Sequence, residues 1–251
     1  MNNILSNINV CILIDLGEGG FFLKRMALMF SMCVMSLIFV ILACDPMVFI
    51  KEMESRDRAY AILRDTVLTY KKRVISLFDD FQKLGYEFNI PFEKFIPVFS
   101  LPDSRNNVYA AFEYDVASLE RLVKICEKFD ITSDMMDADT KLIYDLLYLL
   151  KEIAEPIDEI INVHLRDEHL SRISTTRSAS SISVITVALR DSITKERELV
   201  FKIKERILAI DPAGIKQVIV IQIRDILDDG NINANIRFIK EMARRISRSV
   251  R

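Results

Sequence analysis

Apolar residues return at steps of three and four along most of this chain. Tyr60, Leu63, Val67, Tyr70, Val74, Leu77, Phe78 and Phe81 share one stripe, while Lys71, Lys72, Arg73, Asp79 and Asp80 lie mostly off it. That spacing is the period of an amphipathic α-helix. It leaves little room for sheet. A β-sandwich of 251 residues needs frequent turns, and the chain holds only 6 glycines and 6 prolines. The length suits one or two domains with a sizeable core. The expected fold is all-α: a single-domain bundle of about six mostly antiparallel helices.

The helices can be placed one by one. The first covers 46–84 and stops at Gly85, a residue suited to a helix C-terminus. Residues 89–103 carry three prolines and three phenylalanines, so they predict a short helical turn in an apolar loop that plugs one end of the bundle. Asp103 or Ser104 is the expected cap of the next helix, which runs to about Phe129 with a break marked by Asp115. Ser133 or Asp134 then caps a long helix reaching Ile173, bent at Pro156. The run 174–181 reads as a polar linker, followed by a helix over 182–210. Asp211 and Pro212 read as a cap and first helical position. The β-branched run 217–227 fits a strand, but its flanking signals and the spacing of Ile223, Ile226 and Leu227 favour a buried helix. A last helix starts at Asn231 or Asn233 and reaches the C-terminus.

The N-terminus reads as an address. Lys24 and Arg25 precede an uncharged apolar run over 26–43, which closes on Ile41, Leu42, Ala43 and Cys44. A basic segment, an apolar segment and a small residue before the cut make a signal peptide. Cysteine directly after Leu-Ala makes it a bacterial lipobox. The basic residues stay in the cytoplasm while the apolar helix enters the bilayer. Lipid on the Cys44 thiol would then anchor the mature chain, at about 0.8 kcal/mol per buried methylene. The competing reading is an uncleaved signal anchor, since the run is just long enough to span a bilayer. The division is therefore 1–43 as lipoprotein signal peptide and 44–251 as helical surface domain. Residues 1–22 are an odd apolar preface; a start at Leu23 through a non-standard codon would leave a compact Met-Lys-Arg segment.

Catalytic and metal-binding patterns are not evident. His164 and His169 are the only histidines, and a five-residue step puts them roughly 140° apart on a helix, away from the three- or four-residue spacing of zinc ligands. They read as solvated or capping residues. No phosphate-binding glycine loop or nucleophile elbow occurs. The expectation is a protein that is not an enzyme and uses no metal or cofactor. With signal-peptide removal, and lipid on Cys44, Cys126 is left as a lone thiol, expected to be a small buried apolar residue. The formal net charge of −2 provides no basic field for nucleic acid. Positive charge is concentrated in the last helix, at Arg237, Lys240, Arg244, Arg245, Arg248 and Arg251. It reads either as a solvated face suited to the helix dipole or as a patch for a polyanion or an acidic partner.

The lipobox, the tryptophan-free helical body and the run Arg105-Asn-Asn-Val-Tyr-Ala-Ala-Phe-Glu-Tyr-Asp-Val-Ala-Ser-Leu-Glu120 resemble Borrelia outer-surface lipoproteins. The nearest type is the helical complement regulator-acquiring one. The resemblance implies an outer-membrane, lipid-anchored surface protein that binds a host protein, factor H being the implied ligand. It transfers no contact residues. Arg237, Lys240, Arg244, Arg245 and Arg248 are the candidate ligand-binding residues from charge alone. The alternatives are an adhesin that holds glycosaminoglycan or matrix through the basic helix, and a periplasmic lipoprotein with a structural role in the envelope. The oligomeric state is left open.

Overall fold

The computed structural model describes the backbone of residues 46–250 and the side chains from 51; Cys44 and the signal peptide lie outside the described residues. Glu54–Arg251 forms one compact unit, and residues 46–53 begin its first helix. Among the described residues there are eight α-helices and no strand, an all-α single-domain bundle. None of these helices is long and apolar enough to cross a membrane.

Helix α1 (Pro46–Lys83) buries Leu63, Val67, Tyr70 and Phe81 from the expected stripe. It ends where Gly85 turns left-handed, at φ +65°, which glycine adopts without a Cβ penalty. The next segment is the expected apolar plug. Ile90, Phe92, Phe95 and Phe99 are buried around a single helical turn at Phe92–Lys94. Phe92 lies tilted against Phe99, ring centroids 5.3 Å apart, and meets Tyr109 edge-on at 6.0 Å.

Helix α2 (Pro102–Ala110) begins earlier than the side-chain caps predicted. Its cap position is Leu101, and Pro102 opens the first turn with a φ already suited to helix. Helix α3 (Val116–Cys126) starts at the expected break: the Asp115 carboxylate accepts the Ser118 N–H at 2.9 Å. Two non-glycine residues between them, Glu113 and Tyr114, sit at φ 51° and 60°. Each costs on the order of 1 kcal/mol or more.

Helix α4 (Ala138–Glu159) is the central element, packing against α2 and three later helices. Ile143, Leu146, Leu147, Leu150, Ile153 and Ile157 are fully buried on it. Its cap is Asp137, whose carboxylate accepts the Thr140 N–H at 2.8 Å, rather than Ser133 or Asp134. Asp134 instead closes a local turn on the Met136 N–H. The expected unbroken helix to Ile173 is interrupted, and not at Pro156, which stays inside α4. A π-helical turn over Ile160–His164 follows, with the Leu165 N–H bonded to the Ile160 carbonyl at 2.8 Å. This wider turn inserts one residue into the register. Helix α5 (Asp167–Thr176) then restarts the chain.

The expected polar linker over 174–181 is mostly helix. The hydroxyls of Ser174, Thr175 and Thr176 bond back to the carbonyls of Ser171 and Arg172, so these residues remain in α5. Only Arg177 and Ser178 separate α5 from helix α6 (Ala179–Ala209). Asp211 and Pro212 do not start a helix either. The Asp211 carboxylate accepts the Ala213 N–H in a turn, and helix α7 (Lys216–Leu227) begins after Ile215. The β-branched run is helical, with Ile219, Ile223 and Ile226 buried on one side.

Helix α8 (Gly230–Val250) lies against α6 and buries Ile232, Ile236, Ile239, Ala243, Ile246 and Val250. Asp229 serves as its cap, accepting the N–H groups of Asn231 at 2.9 Å and Ile232 at 3.2 Å. The same carboxylate meets Lys202 Nζ at 2.7 Å and Arg206 Nη2 at 2.8 Å, tying α8 to α6. Asp229→Ala removes the cap and both ion pairs. It should lower stability by about 1–2 kcal/mol and Tm by about 3–6 °C, read by circular dichroism melting. An unchanged Tm would mean that the α6–α8 packing alone sets the start of α8.

Candidate functional site

The core stripe of α6 runs Leu189, Ile193, Glu196, Val200, Ile203, Ile207 at helical spacing. One of those core positions is a carboxylate. Glu196 is 7% exposed, and its Oε1 accepts the Tyr70 hydroxyl proton at 2.7 Å. Tyr70 sits on the buried stripe of α1, so the bond joins two helices distant in sequence. Burial pushes the Glu196 carboxyl up to about 7, against the Tyr70 hydrogen bond and the charges of Arg73 and Arg197. Burial, with Glu196 second, lifts the Tyr70 phenol well above its ordinary value.

These groups line a cavity of about 90 Å³. Helix α2 contributes Asn106 and Asn107, and the turn after it contributes Glu113 and Tyr114. The left-handed pair at Glu113 and Tyr114 reverses the chain between α2 and α3. The Glu113 carboxylate forms an ion pair with Arg73 on α1, and the Tyr114 hydroxyl donates to Asn106 Oδ1 at 3.1 Å. Burial lowers the Arg73 pKa, and Arg197 lowers it further. From the far wall, α4 supplies Ala154 and Asp158, and the π turn supplies Ile161 and Asn162. Asn162 Nδ2 donates to Asp158 Oδ1 at 2.7 Å. Asp158 lies at the mouth as an exposed residue, yet loss of water around its carboxyl raises its pKa.

A buried carboxylate, a left-handed non-glycine pair and a π turn each cost free energy, and all three meet at this cavity. Departures of this kind concentrate at functional sites. The cavity sets the Tyr70 hydroxyl against the Glu196 carboxylate, with the phenol pKa raised well above its ordinary value. Among the described residues no group of three His, Cys, Asp or Glu could hold a metal ion. The cavity's polar lining offers hydrogen-bonding groups to a ligand. The histidines lie elsewhere: His164 Nε2 is 3.3 Å from Glu159, and His169 Nδ1 is 3.0 Å from the His164 carbonyl. Cys126 is buried in the core, and burial pushes its thiol up to about 12, so it is not a nucleophile at neutral pH.

The basic residues of α8 are brought together only in part. Lys240 pairs with Glu152 on α4. Arg244 and Arg245 both face Glu241, at 4.0 and 3.3 Å. Lys240, Arg244 and Arg248 border one open groove, but Glu155, Glu159 and His164 form its other side. Arg237 and Arg245 are exposed outside it. Arg251 lies outside the described residues.

Sequence reasoning passed over Glu196 and its cavity. The signal was available: a carboxylate on the inward stripe of α6 is unusual, because an ionised group there loses its water. Its partner Tyr70 reads in the sequence as one more apolar stripe residue. No protein-family model matches the chain, and no curated protein matches it.

Proposed function

We propose that this is a lipid-anchored bacterial surface protein that binds a host protein for immune evasion, with the complement regulator factor H as the expected ligand. The observation that carries the reading is the lipobox, Ile41-Leu42-Ala43-Cys44, at the end of an uncharged run that follows Lys24 and Arg25. The resemblance over 105–120 supports it at the level of architecture. Val108, Ala111, Phe112, Tyr114 and Leu119 from that run are buried, so they shape the α2–α3 turn and leave ligand contact to other, exposed faces. Binding uses helix faces and loops, with no chemistry.

The test is retention from human serum on an immobilised chain of residues 45–251. Factor H is expected among the retained proteins; its absence, with no other complement regulator held, overturns the ligand. Protease added to intact cells should remove the protein. Complete protection would replace the host-binding reading with a periplasmic, structural one. A second reading, an adhesin for glycosaminoglycan, draws support from the exposed Arg237, Arg244, Arg245 and Arg248 on α8. It requires heparin binding that weakens steeply with salt and in the Arg244→Ala/Arg245→Ala variant. The acidic neighbours Glu241 and Glu152 count against it.

A further inference from the structure

We infer that the solvent face of α6 is a docking surface for a second copy of this chain, the two α6 helices lying side by side and parallel. Along that face Val187, Thr194, Phe201 and Leu208 follow one another at seven-residue steps. Seven residues are close to two helical turns, so the four form one row. All four are exposed, Phe201 to 64% and Val187 to 57%. Single apolar side chains are ordinary on a protein surface. A row of them in heptad register is not, and the core of the chain does not use it: Leu189, Ile193, Val200 and Ile207 already serve the core from the opposite side of α6.

The charges beside the row point to the occupant. Roughly 50° to one side lie Arg190, Arg197 and Lys204, and roughly 50° to the other lie Asp191, Glu198 and Glu205. Each set repeats with the same step of seven, so the face carries a basic row, an apolar row and an acidic row. Few of these charges are met within the chain. Glu198 pairs with Lys195 on its own helix, and Lys204 is 4.0 Å from Asp115. Arg190, Asp191, Arg197 and Glu205 form no ion pair among the described residues. Symmetry then fixes the direction. A two-fold axis running along a parallel pair sets the basic row of each copy against the acidic row of the other, on both flanks. Arg190 of one copy then faces Asp191 of the other, Arg197 faces Glu198, and Lys204 faces Glu205. An axis across an antiparallel pair sets basic against basic and acidic against acidic. Opposite-charge rows beside an apolar seam are how helix pairs choose partner and orientation.

In the parallel pair Val187, Thr194, Phe201 and Leu208 each meet their own counterpart. Phe201 contributes most of the apolar area, and the seven-residue step gives the pair a left-handed coil. The seam is narrow. It has one apolar row over about 32 Å, where a full coiled coil has two. The dimer is therefore weak and reversible, of the kind held by small interfaces. Neither the lipid anchor nor the host ligand proposed above enters this inference.

Disulfide trapping in the full chain, purified in a non-ionic detergent and oxidised with copper–phenanthroline, tests the pairing. Val187→Cys and Leu208→Cys, made separately, should each give a covalent dimer well above the wild-type chain, whose native cysteines set the background. Parallel helices bring each position onto its own counterpart. Antiparallel ones would part them by about 30 Å and trap dimer only from the two variants mixed. Thr175→Cys, exposed on α5, should stay at background. Adding Phe201→Ser should slow trapping at least tenfold at both positions. Arg190→Asp should slow it severalfold, and Arg190→Asp/Asp191→Arg, which exchanges the two charged rows at that level, should restore it. All the substituted side chains are exposed, and circular dichroism establishes that each variant is folded. Background trapping at both Val187→Cys and Leu208→Cys, trapping only from their mixture, or trapping undiminished by Phe201→Ser would overturn the inference and leave the face to a different partner.

Discussion

Phe112→Ala is expected to cost about 3–5 kcal/mol of unfolding free energy, the range for a fully buried aromatic cut back to a methyl group. Phe112 has no exposed surface. It closes the turn after α2, with its N–H bonded to the Tyr109 carbonyl at 3.1 Å, immediately before the left-handed Glu113 and Tyr114. That pair is held in an unfavourable backbone conformation by the packing around it. Tyr114 contacts Phe78 and Phe81 on α1, each at 5.6 Å between ring centroids. Deleting the Phe112 ring removes its transfer free energy, opens a cavity and loosens what holds the strained pair. Urea denaturation followed by circular dichroism reads the loss as a lower midpoint. A loss under about 1 kcal/mol would mean that this turn can collapse around the missing ring and is not a fixed wall of the site.

The second large effect is on pH dependence. In the unfolded chain Glu196 titrates near 4.5, and in the fold near 7. Below 4.5 the carboxyl is protonated in both states and its burial costs little charge desolvation. As pH rises from 4.5 to 7 the unfolded chain releases the proton while the folded one retains it, so unfolding is increasingly favoured. Above 7 both are ionised and the penalty is complete. At about 1.4 kcal/mol per pH unit, the interval corresponds to roughly 3 kcal/mol of stability lost on going to alkaline pH. Asp158, also raised, acts in the same direction. Asp137, held low by the Thr140 N–H, and Asp229, held low first by Lys202, act oppositely and only in acid. Glu196→Gln removes the penalty. The variant should match the wild type near pH 4.5 and exceed it by about 3 kcal/mol at pH 8, measured by urea denaturation at both values. A difference that does not change with pH would show that Glu196 is hydrated in the fold.

Much of the architecture was legible because it rests on local physics. The stripe on α1, the stop at Gly85, the break at Asp115 and the aromatic plug all follow from periodicity, φ preference and side-chain size. The structure has two helices more than the six expected, because 103–129 divides at the marked Asp115 break and 134–173 divides at a π turn with no local mark. Nothing around Ile160–His164 announces a π turn, and Pro156, which announces a bend, lies inside α4. The Ser/Thr run 174–176 reads as linker but is helix, because hydroxyls serve a helix as well as a loop when they bond back to carbonyls. Asp211-Pro212 carried a real turn signal, but the turn closed on itself before the helix began.

The site divides in the same way. The sequence by itself determined the stripes, and with them a helical body. It also holds the run Ile41-Leu42-Ala43-Cys44, on which the proposed lipid anchor rests, and the concentration of positive charge on α8, each a property of neighbouring residues. Only the tertiary structure decided that Lys240 would be matched by Glu152, 88 residues away, and that Tyr70 would meet Glu196 across 126. It also decided that Asn107, an unremarkable residue on a short helix, would line the cavity beside Glu196. The physical reason is that desolvation and pairing depend on what surrounds a group in space. Periodicity says which face of a helix turns inward, but not which polar group it will find there.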